Sequence, residues 1–150
     1  MLVFGGYYKS KKSNVVFQYT FSRNVWTRLT EHSEKPNLAP VPRTDHTAVM
    51  YNGSMYVFGG SDDENNKLND LWQFALDTQR WTRIDAPNSP LARSGHSAGV
   101  IGSKLYIFGG IAGMTQEMND LHTFDFESQK WASEHNEVRT PDGTFYMNKN

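Results

Sequence analysis

The chain has 150 residues, 37% of them apolar and 13% aromatic, with a formal net charge of −1 and no cysteine. Such a length suffices for one domain with a real core, while the near-neutral balance gives no electrostatic case for nucleic acid or an anionic membrane surface. No apolar run approaches the ~20 residues of a membrane helix, disulfides and thiolate chemistry are excluded, and Met1 to Tyr8 lack a basic segment followed by an apolar one. A cytoplasmic location, with the nucleus as its variant, is therefore expected.

The first ~30 residues open on Phe4-Gly5-Gly6 and continue through Asn14, Val16 and Tyr19 to Trp26. The next stretch reads as four strands. His46 to Met50 is a short run of apolar and polar residues, and Tyr51-Asn52-Gly53-Ser54 follows it as a hairpin turn, because both central residues of that turn need positive φ. Met55 to Phe58 ends in Gly59-Gly60; a polar loop, Ser61 to Asn69, leads to a third strand, Leu71 to Leu76. The turn Asp77 to Arg80 then opens a fourth, Trp81 to Ile84. No segment sustains a 3.6-residue apolar period, so helices are expected to be minor or missing.

Shifted by 50 residues, the stretch Arg43 to Asp85 lies over Arg93 to His135 without a gap, and 13 positions are identical. They include Arg43/Arg93, His46/His96, Phe58/Phe108, Gly59/Gly109, Gly60/Gly110, Asn69/Asn119, Asp70/Asp120 and Trp81/Trp131. The opening segment is a third, truncated copy, in which Val15 stands at the place of Asp70. A fixed period of this size marks a repeat architecture. Four antiparallel strands per unit, each sheet covering its neighbour around an axis, make a β-propeller blade.

The chain resembles the kelch-repeat family, whose blades carry a double glycine at the end of strand two and a tryptophan in strand four. Here these are Gly5-Gly6 with Trp26, Gly59-Gly60 with Trp81, and Gly109-Gly110 with Trp131. The expected fold is all-β, an incomplete ring of about three blades: blade one in 1–30, blade two in 43–85 and blade three in 93–135. Residues 136–150 are expected as a tail, or, from Gly143 to Asn148, as a degenerate first strand of a further blade.

Each motif has a structural and a functional reading. The glycine pairs do not precede a helix, which phosphate cradles require, so they are assigned to close backbone approach. The three tryptophans recur at one register and are expected to pack between blades. His46 and His96 recur without a repeating carboxylate, and His32, His122 and His135 follow no ligand spacing, so a structural hydrogen-bonding role is favoured over metal. Asp62-Asp63-Glu64 lacks the alternation of a calcium loop. No catalytic residue, metal site or cofactor is expected. In propellers of this kind an arginine leading into strand one lies near the channel mouth, which implies that Arg43 and Arg93 either reach a ligand carboxylate or form a salt bridge or stack between blades.

The loops between strands two and three diverge, as loops that carry recognition do. Tyr7, Tyr8, Lys9, Lys11 and Lys12 are basic and aromatic; Asp62, Asp63 and Glu64 are acidic; the third loop is apolar around Met114. A rim running basic, acidic, apolar is a candidate surface for another protein. The resemblance implies a protein-interaction module, a scaffold or the substrate-recognition part of an adaptor. The alternative is a fragment of a propeller enzyme such as a sugar epimerase or a metal-dependent specifier protein. Because three blades cannot close a ring, further blades of a longer protein, or a second copy of the chain, are expected to complete it.

Overall fold

A computed structural model describes residues 1–31 and 38–134, and the backbone alone of 137–139 and 145–147. Among these residues all regular structure is extended. Blade one is the sheet β1 (Leu2–Phe4), β4 (Val16–Thr20) and β5 (Val25–Arg28), in that order. Between β1 and β4 stands a small hairpin, β2 (Tyr7–Tyr8) and β3 (Lys11–Lys12). Blade two is β6 (Thr47–Tyr51), β7 (Ser54–Phe58), β8 (Leu71–Ala75) and β9 (Arg80–Ile84), four antiparallel strands in sequence order. The first turn is as expected from Asn-Gly: Asn52 and Gly53 both have positive φ, and Tyr51 pairs with Ser54.

Blade three repeats this with β10 (Arg93–Ser94), β11 (Ser97–Ile101), β12 (Lys104–Ala112), β13 (Gln116–Asp125) and β14 (Lys130–Glu134). Here the second and third strands run on past the glycine pair. A register shift between Phe108 and Gly110 lets Ile111 pair with Glu117 and Ala112 with Gln116, so the expected apolar loop is the tip of a long hairpin. In the tail, β15 (Glu137–Arg139) pairs with β16 (Phe145–Met147). The remainder of the expected further strand, Gly143 and Asn148 included, lies outside the described residues, as do His32 and His135.

Neighbouring blades bury one another's faces. Phe4, Val16, Leu2 and Leu29 of blade one pack against Met55, Val57, Phe74, Leu76 and Trp81 of blade two. Tyr56, Phe58, Leu71 and Ile84 of blade two pack in the same way against Leu105, Ile107, Phe124, Phe126 and Trp131 of blade three. Two strand-four tryptophans lean on the phenylalanine of the preceding blade: Trp81 on Phe4 and Trp131 on Phe58, both with ring centroids 5.0 Å apart.

Trp26 departs from the inter-blade expectation. It is 53% exposed, whereas Trp131 is 5% exposed. The described residues place no blade against this face, and Trp26 packs on Tyr19 of its own sheet, with ring centroids 4.9 Å apart.

The double glycine is where backbones come closest. A Cβ on Gly59 (φ +65°) would stand 2.8 Å from the Arg93 carbonyl oxygen and 2.9 Å from the His96 ring, both in blade three. One on Gly60 (φ +95°) would stand 2.5 Å from the Thr44 carbonyl oxygen. Positive φ and absent side chains are both required there, and the Gly60 amide then donates to the Arg93 carbonyl at 2.9 Å.

Candidate functional site

Arg43 and Arg93 are not available to a ligand. Both are 0% exposed. Arg43 donates Nε–H to the Val41 carbonyl at 3.1 Å and Nη1–H to the Gly59 carbonyl at 3.0 Å; its two terminal nitrogens grip Asp70 at 2.6 and 2.8 Å. Arg93 repeats the arrangement on Leu91, Gly109 and Asp120. The backbone of each residue is meanwhile knitted to the preceding blade: Arg43 N–H to the Ser13 carbonyl, Arg93 N–H to the Leu68 carbonyl. The geometry is that of a salt bridge, bidentate and buried, but it lies within one blade rather than between blades as expected: Arg43 and Asp70 both belong to blade two, Arg93 and Asp120 to blade three. Burial alone would raise the Asp70 carboxyl, but the hydrogen-bonded, charged Arg43 and the Trp72 indole hold it below its ordinary value. Asp120 is held near about 2, first by Arg93, against some burial, and then by His122. Trp72 Nε1 and His122 Nε2 occupy the same place, each 2.7 Å from its carboxylate.

His46 and His96 lie at the blade junctions, edge-on to Phe4 and Phe58. The Thr47 hydroxyl, in blade two, meets His96 Nε2 at 2.8 Å. Burial, reinforced by Arg43 or Arg93, lowers both histidines from 6.5 to about 4. Each is therefore neutral in the folded chain at neutral pH. Because the folded values lie below the unfolded one, the unfolded chain binds more protons between pH 6.5 and 4. Stability is fully present above 6.5 and falls as the pH drops through that window. The expected loss is about 2–3 kcal/mol per histidine at pH 4. Urea unfolding at pH 7.5, 5.5 and 4.5 measures it, and equal stability at all three would contradict the assignment. The lowered Asp70 and Asp120 carboxyls add a loss of the same sign only where carboxylates of the unfolded chain begin to protonate, towards pH 4, so the step from pH 7.5 to 5.5 reports the histidines.

The three divergent loops share one end of their sheets, because strands two and three are joined there in every blade. Contacts make them one surface. The blade-one loop is a tight hairpin whose turn residues Lys9 and Ser10 both have positive φ. It presents Tyr7, Tyr8, Lys9 and Lys11 to solvent. Lys12 differs from the exposed charge expected of it: it is 9% exposed. Its ammonium reaches into the blade-two loop, donating to the Asp62 carbonyl, to Ser61 Oγ at 3.2 Å and to Asn65 Oδ1 at 3.3 Å. The Lys12 amide also donates to Asp63 Oδ1 at 3.1 Å. The Asp62 carboxylate turns inward on its own loop, accepting from the Glu64 and Asn66 amides. Asp63 and Glu64 remain exposed. On the far side of that loop, Asn65, Asn66 and Lys67 face Ala92, Gly113 and Met114 across a groove of about 360 Å³. Met114, at the hairpin tip, is 95% exposed.

The KLHDC2/KLHL20/DRC7 Kelch-repeats domain description matches residues 1–146. The chain belongs to the kelch-repeat family. Kelch relatives include the leucine-zipper-like transcriptional regulator 1 of Mus musculus, 37% identical over 91 residues, and its homolog in Drosophila melanogaster, 37% identical over 85. These cover 59% and 57% of this chain and 11% and 8% of the relatives. Host cell factor 2 of Homo sapiens is 49% identical over 85 residues, covering 51% of this chain and 11% of that protein. The kelch chain thus spans about a tenth of the length of the curated relatives it matches.

Two kelch features escaped the motif reading. Asp70 and Asp120 are the partners of the arginines, and the signal was present: both pairs recur together, 50 residues apart. The clasp of Lys12 left no such signal, since it joins two loops that do not repeat.

Proposed function

We propose that these kelch blades form a protein-interaction module whose contact surface is the rim of loops between strands two and three. The observation that carries this reading is the contiguity of three chemically different loops. Lys12 ties the first to the second, and the Asn65–Met114 groove joins the second to the third. Tyr7 and Tyr8 are exposed on a hairpin preset by its turn, so they can anchor a partner at small entropic cost. Lys9, Lys11, Asp63 and Glu64 supply charges of both signs for register and specificity. One relative's name describes a transcriptional regulator, which fits a binding role.

The test leaves Lys12 intact, since it supports the rim. A variant with Tyr7, Tyr8 and Met114 changed to serine and Lys9 and Lys11 to glutamate is compared with one altered at Asp77 and Thr78, a turn at the opposite end of blade two. Cross-linking in native extract, read by mass spectrometry, is expected to lose partners with the first variant and keep them with the second. Recovery of the same partners by both would move the contact surface elsewhere.

A further inference from the structure

One position of the rim carries a lysine at both blade junctions, and the two lysines are treated differently. In each blade the residue after the glycine pair is paired with one on the returning side of the loop: Tyr7 with Lys12, Ser61 with Lys67, and Ile111 with Glu117. Lys12 and Lys67 are therefore equivalent, and each stands beside the loop of the next blade. Lys12 finds its acceptors there, in Ser61 Oγ, the Asp62 carbonyl and Asn65 Oδ1. Shifted by 50 residues, those three places in blade three are Ile111, Ala112 and Thr115. Isoleucine has no side-chain oxygen, and the Ala112 backbone is taken up in β12 between Arg93 and Gln116. Lys67 is half-buried, and among the described residues its ammonium has no ion pair or hydrogen bond. The chain satisfies one lysine and leaves the other open.

We propose that the groove beside Lys67 takes an acidic segment of a partner protein, with a carboxylate on the Lys67 ammonium and an apolar side chain against Ala92 and Met114. The inference rests on the rim as contact surface and names the chemistry that one part of it selects. Both walls of the groove belong to consecutive blades of this chain, and its volume of about 360 Å³ is of the size that holds small ligands. An occupant that fills it takes the ammonium out of water, and a charge so covered is tolerated only with a hydrogen-bonded partner. A carboxylate makes the strongest such bond. None of the loop's own carboxylates serves: Asp62 accepts from the Glu64 and Asn66 amides, Asp63 from the Lys12 amide, and Glu64 from the Asn66 side chain. The Asn65 side-chain oxygen is held by Lys12, which leaves its amide hydrogens for the groove. Met114 is 95% exposed, and Leu91, next to Ala92, is 60% exposed. A flexible methionine at such a place fits apolar side chains of varied shape.

Random linear peptides displayed on phage and selected on the full chain provide the test. The recovered peptides are expected to share an aspartate or glutamate close to a large apolar residue. A synthetic peptide of that consensus, followed by fluorescence anisotropy, should bind less tightly as salt is raised. Lys67→Ala should weaken it about tenfold, as for the loss of one charged hydrogen bond, and Lys67→Glu should weaken it further. Lys67→Arg should keep most of the binding. Met114→Ser should also weaken it, with unchanged circular dichroism, because that side chain is exposed. A selection that yields no binder, peptides with no shared acidic residue, or binding indifferent to Lys67→Glu or to Met114→Ser would each overturn the proposal. Cross-linking of Lys67→Glu in native extract separates this inference from the wider one. Partners kept by Lys67→Glu but lost by the variant altered at Tyr7, Tyr8, Lys9, Lys11 and Met114 would leave the rim standing and remove the acidic segment from the groove.

Discussion

Replacing Arg43 with alanine is expected to lower the unfolding free energy by about 3–5 kcal/mol. The guanidinium is fully buried and makes four hydrogen bonds, two of them to the Asp70 carboxylate. Its removal leaves that carboxylate, whose side chain is 17% exposed, without its cation, and the Gly59 carbonyl without a donor. Burial would then raise the Asp70 carboxyl unopposed by Arg43. Arg93 is the same device 50 residues on and should behave alike. A double variant, Arg43→Met with Asp70→Leu, should recover most of the loss, because removing both charges ends the desolvation cost that breaking the pair exposes. Urea unfolding of the single and double variants measures both. An Arg43→Ala protein within 1 kcal/mol of the wild type would show that the pair contributes little.

The second large effect is a contrast between two tryptophans at one repeat position. Trp131→Ala is expected to cost about 3–5 kcal/mol, for loss of a buried indole and the cavity it leaves between Phe58 and Phe124. Trp26→Ala, in dilute solution, should cost less than about 1 kcal/mol, because the ring is half-exposed and packs on Tyr19 of its own sheet. Thermal or urea unfolding of both under the same conditions decides the matter. Equal losses would mean that blade one is covered by something the packing of the chain does not reveal.

Much of this was legible before any coordinates. Strand positions came from the Asn-Gly turn, from the ends marked by Gly59-Gly60 and Gly109-Gly110, and from a period long enough for four strands. Those signals are local: a turn needs its own φ angles, and a strand its own alternation, wherever it sits. Less legible was the blade-three hairpin, where the register shift at Phe108–Gly110 carries β12 and β13 through a segment with no turn signal until Gly113. Pairing between distant strands extended what propensity alone would have ended.

Identity by repetition also hid differences of environment. Trp26, Trp81 and Trp131 are one position in the sequence, and the amino acid is the same in each, but exposure depends on whether a preceding blade is there to lean on. The sequence by itself determined the blades, the glycine pairs that let them approach, and the paired recurrence of arginine and aspartate. Only the tertiary structure decided what those residues do. It turned Arg43 and Arg93 from candidate ligand contacts into buried cations that each grip a carboxylate of their own blade, and it buried Lys12 in a neighbouring loop. It also left Trp26, Phe21, Ile101 and Phe108 facing outward at the two ends of the arc. The physical reason is common to all of these: burial and charge pairing are properties of what lies across a packed interface, and residues 27, 50 or more positions away in sequence supply that other side.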